Sequence, residues 1–115
     1  MPYIQVNIKQ EITGDQITKI KMGMGEAISM ITGKKEAQLM LQIDDGCTMF
    51  HKGEPREKIA YIHMKAFKKA SVDDNRAFTK AAVDVINNVL GVPKENIYLN
   101  ITEFSCWGAN GDLLT

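Results

Sequence analysis

This sequence has no excess of one charge, few cysteines and no long apolar run, and each shortage removes a class of function. Fourteen Lys and Arg stand against fourteen Asp and Glu, a formal charge of zero, so no long-range field draws the chain to nucleic acid or an anionic membrane. No apolar run approaches the ~20 residues of a spanning helix, and the first residues lack the charged-then-apolar order of a signal peptide. Cys47 and Cys106 form no CxxC pair, which fits reduced thiols in a cytosol. Ser-His-Asp order, a phosphate-cradling glycine loop and an RNA-binding aromatic signature are all missing. Cys47 and His51 lie four residues apart in one loop with His63 in the next strand, a spacing that argues against the three or four converging ligands a metal requires. The expectation is a cytoplasmic protein with no metal, no cofactor, no nucleic-acid partner and no membrane association.

What is present begins at the N-terminus, Met1-Pro2-Tyr3-Ile4-Gln5-Val6-Asn7-Ile8. Aminopeptidases remove methionine when the next residue is small, and removal here leaves Pro2 with a free secondary amine. An ordinary terminal amine titrates near ~7.7–8.0. Burial or a neighbouring cation lowers that value by disfavouring the charged form. A neutral amine at pH 7 is a competent general base. The alternation of Tyr3, Gln5 and Asn7 with Ile4, Val6 and Ile8 predicts a strand that fixes this amine to a sheet.

With 115 residues, 44% of them hydrophobic, the chain suits one domain over 1–115 with a modest core. A shift of 58 residues lays the second part on the first: Tyr3-Ile4 on Tyr61-Ile62, Asp15 on Asp73, Gly33 on Gly91, Leu41 and Ile43 on Leu99 and Ile101. Pseudo-repeats over 1–57 and 59–115 are expected, each reading strand, helix, strand. In the first, Thr13 to Gln16 has the form of a capping box, and Ile17, Ile20, Met24, Ala27, Ile28 and Ile31 recur at helical spacing before Gly33. Gly23 and Gly25 weaken that helix by ~1 kcal/mol each against alanine and point to close packing on the sheet. Leu39–Ile43 is the second strand. In the second repeat Ala60–Phe67 alternates, and Ser71-Val72-Asp73-Asp74 opens a helix buried through Phe78, Ala82, Val85, Ile86 and Val89. Gly91 with Pro93 ends it, and Ile97–Ile101 closes the unit.

Strands joined by a helix lie parallel with a right-handed crossover. The predicted class is therefore α/β (α+β), a four-stranded mixed sheet with two helices on one face. Tyr3, Met40, Tyr61 and Tyr98 on the opposite parity suggest a second apolar face in need of a partner, and hence a homo-oligomer. Residues 44–57 form a long polar connection, Lys65-Ala-Phe-Lys-Lys69 a basic strand end. The tail Ser105–Asp112 sets Trp107, the sole tryptophan, among turn-forming residues, either as a strand stapled down by its ring or as a pocket wall.

Taken in order, Pro2, Thr32-Gly33-Lys34, Asn75-Arg76, Ile97-Tyr98-Leu99-Asn100 and Trp107-Gly108-Ala109-Asn110-Gly111 resemble the macrophage migration inhibitory factor family of the tautomerase superfamily over the whole chain. The resemblance implies a homotrimer with three pockets at subunit interfaces, and keto–enol tautomerisation of phenylpyruvate-like α-keto acids with Pro2 as the base. Lys34 matches the lysine that binds the substrate carboxylate and lowers the proline's pKa. Tyr98 and Asn100 match residues contributed by a neighbouring subunit, and Trp107 falls where the family's tail closes the pocket. The family also implies secretion without a signal.

The chain departs from that pattern at several points. Lys65 replaces an isoleucine that contacts substrate, and this second cation favours either a dianionic substrate or a loss of phenylpyruvate binding. Gln38 stands for an aromatic, Lys35 for a proline, and Ala109 for a C-terminal aromatic. A CxxC to which thiol-redox activity is attributed in some members is absent. The residues leave open a non-catalytic, cytokine-like or scaffold trimer, and a hydration or dehalogenation chemistry using Glu103 or Asp45 to activate water.

Overall fold

The computed structural model describes residues 1–115. Its elements in order are β1 (Pro2–Ile8), α1 (Gly14–Ile28), β2 (Met40–Asp44), β3 (Ala60–Phe67), α2 (Val72–Leu90), β4 (Ile97–Phe104), β5 (Trp107–Ala109) and β6 (Asp112–Leu114). The four longer strands form one mixed sheet in the order β2-β1-β3-β4. β1 and β2 run parallel, β3 and β4 run parallel, and the central pair β1–β3 is antiparallel. The α+β class and the four-stranded sheet under two helices are thus as the periodicity predicts.

Local chemistry explains the helix starts. Thr13 Oγ1 accepts the Gln16 N–H at 3.2 Å while Gln16 Oε1 accepts the Thr13 N–H at 2.9 Å, a reciprocal box at the head of α1. Ser71 Oγ accepts the Asp74 N–H at 3.0 Å at the head of α2. Gly91, at φ 69°, ends α2 in the left-handed conformation that side chains avoid. One parity of the strands (Ile4, Val6, Ile8, Ile62, Met64) packs on Ile20, Met24 and Ile28 of α1 and on Phe78 and Ile86 of α2. Each such side chain contributes at most ~1.5–3 kcal/mol on leaving water, so this single layer supplies most of the driving force.

Several expectations are corrected. α1 ends at Ile28 rather than near Gly33, because Ser29, Met30 and Ile31 tighten into bonds three residues back. A short 3₁₀ turn, Glu36–Gln38, delays β2 to Met40, and β4 continues to Phe104. Ile17 is 44% exposed, for it lies beside Leu39, Leu41 and Ile43 at the edge strand, where no further strand covers it. Gly23 and Gly25 do not pack on the sheet. A Cβ on Gly23 would lie 2.6 Å from Val85 of α2, and one on Gly25 would strike the Glu36 carboxylate.

The face away from the helices is mixed: Met40 and Tyr98 are exposed on it as apolar surface, and polar side chains are bonded between them. Tyr3 donates to Gln42 Oε1 at 2.6 Å, while Gln5 and Gln42 donate to Asp44 Oδ2 at 2.9 and 3.0 Å. Asn7 meets His63 Nε2 at 3.4 Å, and Tyr61 stacks on His63 with centroids 4.3 Å apart. Amides interleaved with the aromatic positions thus add a polar network to this face, beside the exposed Met40 and Tyr98.

The tail is a hairpin. β5 and β6 pair antiparallel around Asn110 and Gly111, both at positive φ (54° and 76°), the geometry of a tight two-residue turn. A second tight turn, His51 to Glu54, lies inside the polar connection, with Lys52 and Gly53 at φ 54° and 74°. No helix is long and apolar enough to cross a membrane.

Candidate active site

The start of β1 determines what sits at one end of the sheet. Pro2 is opposite Ala66, and the Phe67 N–H donates to the Met1 carbonyl at 3.4 Å, extending the ladder to the terminal residue. Because β2 runs parallel to β1 and Tyr3 pairs with Met40, the entry into β2 lies beside the terminus as well. The C-terminal hairpin folds over the same corner. A cleft of about 530 Å³ results, lined by Met1, Pro2, Tyr3, Gln38, Met40 and residues 107–110. Pro2 is buried, Met1 half-buried.

The terminal amine here is held below its ordinary value, first by burial and second by the positive charge of Lys34. Removal of Met1 transfers that amine to the nitrogen of Pro2, one residue further into the protein. Lys34 reaches this corner from the turn after α1. Gly33 adopts φ 84°, the Lys34 N–H donates to Ile31 O at 3.0 Å, and the Thr32 N–H donates to Asp74 Oδ2 at 3.0 Å. The Thr32-Gly33-Lys34 turn is thereby tied to the head of α2.

One chain brings together only part of the predicted set. Pro2 and Trp107 line the cleft, the Trp107 ring centroid 6.1 Å from that of Phe104, and the charge of Lys34 acts on the Met1 amine beside them. Lys65 is exposed on the face away from the helices, opposite Tyr3 and one place from the Pro2–Ala66 pair. Tyr98 and Asn100 lie elsewhere. They pair with Tyr61 and His63, whereas Pro2 pairs with Ala66. At ~3.3 Å per residue the Tyr98 row stands ~16 Å along the strand from the Pro2 row. Tyr98 instead packs edge-on against His51, centroids 4.9 Å apart, and His51 is itself buried with Nε2 2.8 Å from the Glu95 carbonyl.

Neither carboxylate considered for water activation is free beside Pro2. Glu103 Oε2 accepts from the Ala70 N–H at 2.6 Å and from Asn75 Nδ2 at 3.4 Å. Asp45 accepts the Ile12 N–H at 2.9 Å, beyond the far end of β2. No group of three or more His, Cys, Asp and Glu side chains converges as a metal would require. Met40 and Asn110 line the cleft, although the sequence pattern assigns neither of them a role in the site. The Asn110-Gly111 pair was a readable hairpin signal, and Met40 follows once β1 and β2 are placed as parallel neighbours.

Comparison with known proteins agrees with this architecture. No curated protein matches the chain in sequence. Among solved structures, MIF2 of Leishmania major superposes with a TM-score of 0.91 at 19% identity, covering 99% of this chain and 97% of that one. A macrophage migration inhibitory factor homologue from Prochlorococcus marinus gives 0.86 at 19% identity, covering 96% and 97%. Pt0534 inactivated by 2-oxo-3-pentynoate gives 0.80 at 10% identity, covering 89% and 85%. At such identities the likeness is one of fold. The profile of the macrophage migration inhibitory factor (MIF) family matches residues 1–115, and the chain therefore belongs to that family, part of the tautomerase superfamily.

Proposed function

We propose that the protein, once Met1 is removed, is a keto–enol tautomerase of phenylpyruvate-like α-keto acids, with Pro2 as general base. The observation that carries this reading is the Met1 amine at the cleft, its basicity reduced by burial and by Lys34, with Pro2 the next residue of the cleft lining. A neutral amine takes the proton from the carbon beside the carbonyl, the electron pair of that C–H bond forms the C=C bond, and the carbonyl π pair moves onto the oxygen. The amine then returns the proton to that oxygen, giving the enol, and the reverse sequence gives the ketone. Lys34 pairs with the substrate carboxylate and holds the nitrogen unprotonated. Trp107 and Met40 supply apolar walls for the substrate's side chain. That a protein of this fold is inactivated by 2-oxo-3-pentynoate supports a 2-oxo acid as the substrate class.

Tyr98 and Asn100 enter through a second copy of the chain. Their separation from Pro2 within one protomer, with Tyr98 57% exposed, supports a homotrimer in which each pocket borrows them from a neighbour.

The test combines the N-terminal mass of the native protein with a phenylpyruvate enolisation assay. A mass lacking Met1 and a Pro2→Gly rate lowered by ~10²–10⁴-fold are expected. A processed Pro2→Gly protein that keeps the full rate would overturn the assignment. A processed wild type without any rate would leave a surface-acting, non-catalytic assembly.

A further inference from the structure

We infer that the site is shaped for a 2-oxo acid bearing a second carboxylate, with Lys34 taking the carboxylate next to the ketone and Lys65, assisted by Lys68, taking the other. The inference rests on the tautomerase reading and names its substrate class.

Strand register puts Lys65 on the uncovered face of β3, opposite Tyr3 and one place from the Pro2–Ala66 pair. Phe67, two residues on, shares that face by alternation. Lys68 would ordinarily leave along the chain. Instead it adopts φ 69°, seldom seen outside glycine, with its N–H donating to Phe104 O at 2.8 Å. In this conformation its Nζ lies 5.1 Å from the Phe67 ring centroid. Lys68 is thus held beside the Phe67 ring, at the strand end that carries Lys65.

Nothing in the chain neutralises them. The three ion pairs of the protein are Lys21–Glu36, Arg76–Asp73 and Lys94–Asp84. Glu103, the carboxylate closest by register, is engaged by Ala70 and Asn75. Asp44 belongs to the amides of Gln5 and Gln42, toward the other end of the sheet. In a protein of zero formal charge, Lys34, Lys65 and Lys68 are thus left without an ion-pair partner, Lys34 acting on the terminal amine and Lys65 one place in register from the Pro2–Ala66 pair.

An uncharged ring laid across Lys65 would strip water from the ammonium and offer no acceptor in return. A carboxylate in that place accepts charge-assisted hydrogen bonds instead. Adjacent strands are ~4.8 Å apart, so a lysine stem on β3 readily reaches a ligand held over the start of β1. The chemistry at the amine is unchanged by this choice: the same C–H bond breaks, and the same proton returns to the enol oxygen.

The test uses the full-length protein with Met1 removed. Deuterium entry at C3 in D2O, followed by proton NMR, is measured for phenylpyruvate, 2-oxosuccinate, 2-oxoglutarate and 2-oxoadipate, and calorimetry gives the Kd of each. At least one dicarboxylate is expected to exceed phenylpyruvate in kcat/KM by ~10-fold and to bind more tightly. Lys65→Met should lower that ratio ~10-fold or more, Lys65→Arg should restore most of it, and added salt should shrink it. No dicarboxylate preference in rate or Kd, or a Lys65→Met variant that shifts all four compounds equally, overturns the inference. Pro2→Gly separates the two layers. Exchange that survives it sinks the tautomerase reading and this inference as a substrate assignment, while exchange that depends on Pro2 but ignores the second carboxylate sinks this inference alone.

Discussion

The carboxylate of Asp74 in the first turn of α2 accepts the backbone N–H of Thr32 at 3.0 Å, across 42 residues of chain. Two residues beyond Thr32 stands Lys34, the cation that depresses the terminal amine. One half-buried aspartate thus secures the turn that carries Lys34. Its own pKa is lowered, chiefly by that backbone bond, further by the side-chain contact with Thr32, and less by Ser71.

Asp74→Ala is expected to lower stability at pH 7 and to weaken the effect of Lys34 on the amine. The folded carboxylate binds its proton less readily than the unfolded one. Its stabilising contribution is therefore complete above the ordinary value of ~3.9 and is lost as pH falls through the lower folded value. Denaturant midpoints of the two proteins should differ at neutral pH and converge in acid, and a gap that widens in acid would contradict the assignment.

Lys34→Met removes a cation while leaving burial in place, so the amine should titrate higher than in the wild type but still below an ordinary terminus. Since the base works only when neutral, the acid limb of the kcat/KM profile moves to higher pH. The loss of carboxylate pairing should lower kcat/KM by ~10–100-fold as well. Lys35→Met, one residue on, exposed and away from the cleft lining, serves as the control and should leave both readouts in place.

Mixing two inactive proteins tests where Tyr98 acts. A pocket that takes Pro2 from one subunit and Tyr98 from the next is intact whenever a Tyr98→Ala subunit donates the proline and a Pro2→Gly subunit the tyrosine. After unfolding and refolding an equal mixture, ~1 pocket in 4 should meet that condition by random assortment. Recovery of about that share of the rate identifies a shared pocket, and no recovery places Tyr98 outside it.

Gly23→Ala sets two known effects against one another. Helix propensity favours alanine by ~1 kcal/mol. The added Cβ, 2.6 Å from a methyl of Val85, overpacks the contact between α1 and α2 at a cost of ~1–3 kcal/mol, and a β-branched side chain has little freedom to yield. Net destabilisation of ~1 kcal/mol is expected, and Val85→Ala in the same protein should relieve it. Gly14→Ala, with nothing within 4 Å of the added carbon, should be neutral or mildly stabilising.

What the sequence by itself determined are the features governed by neighbours in the chain. The Thr13–Gln16 box, the Ser71 cap, the glycine stop at Gly91 and the full extent of β3 depend on residues a few places apart, and each formed as its pattern requires. The corner that holds Pro2 was legible too, since alternation along residues 2–8 already implied a strand beginning at the proline. What only the tertiary structure decided are meetings between residues far apart. Gly23 faces Val85 rather than the sheet, Asp74 ties down the Lys34 turn, and Tyr98 lies remote from Pro2 in its own chain. The uncovered face carries a polar network because cross-strand register set Gln5, Gln42 and Asp44 side by side, where their hydrogen bonds satisfy one another. Local patterns specify which elements form, but the partners of a side chain depend on how elements align across tens of residues, which near neighbours in the sequence do not encode.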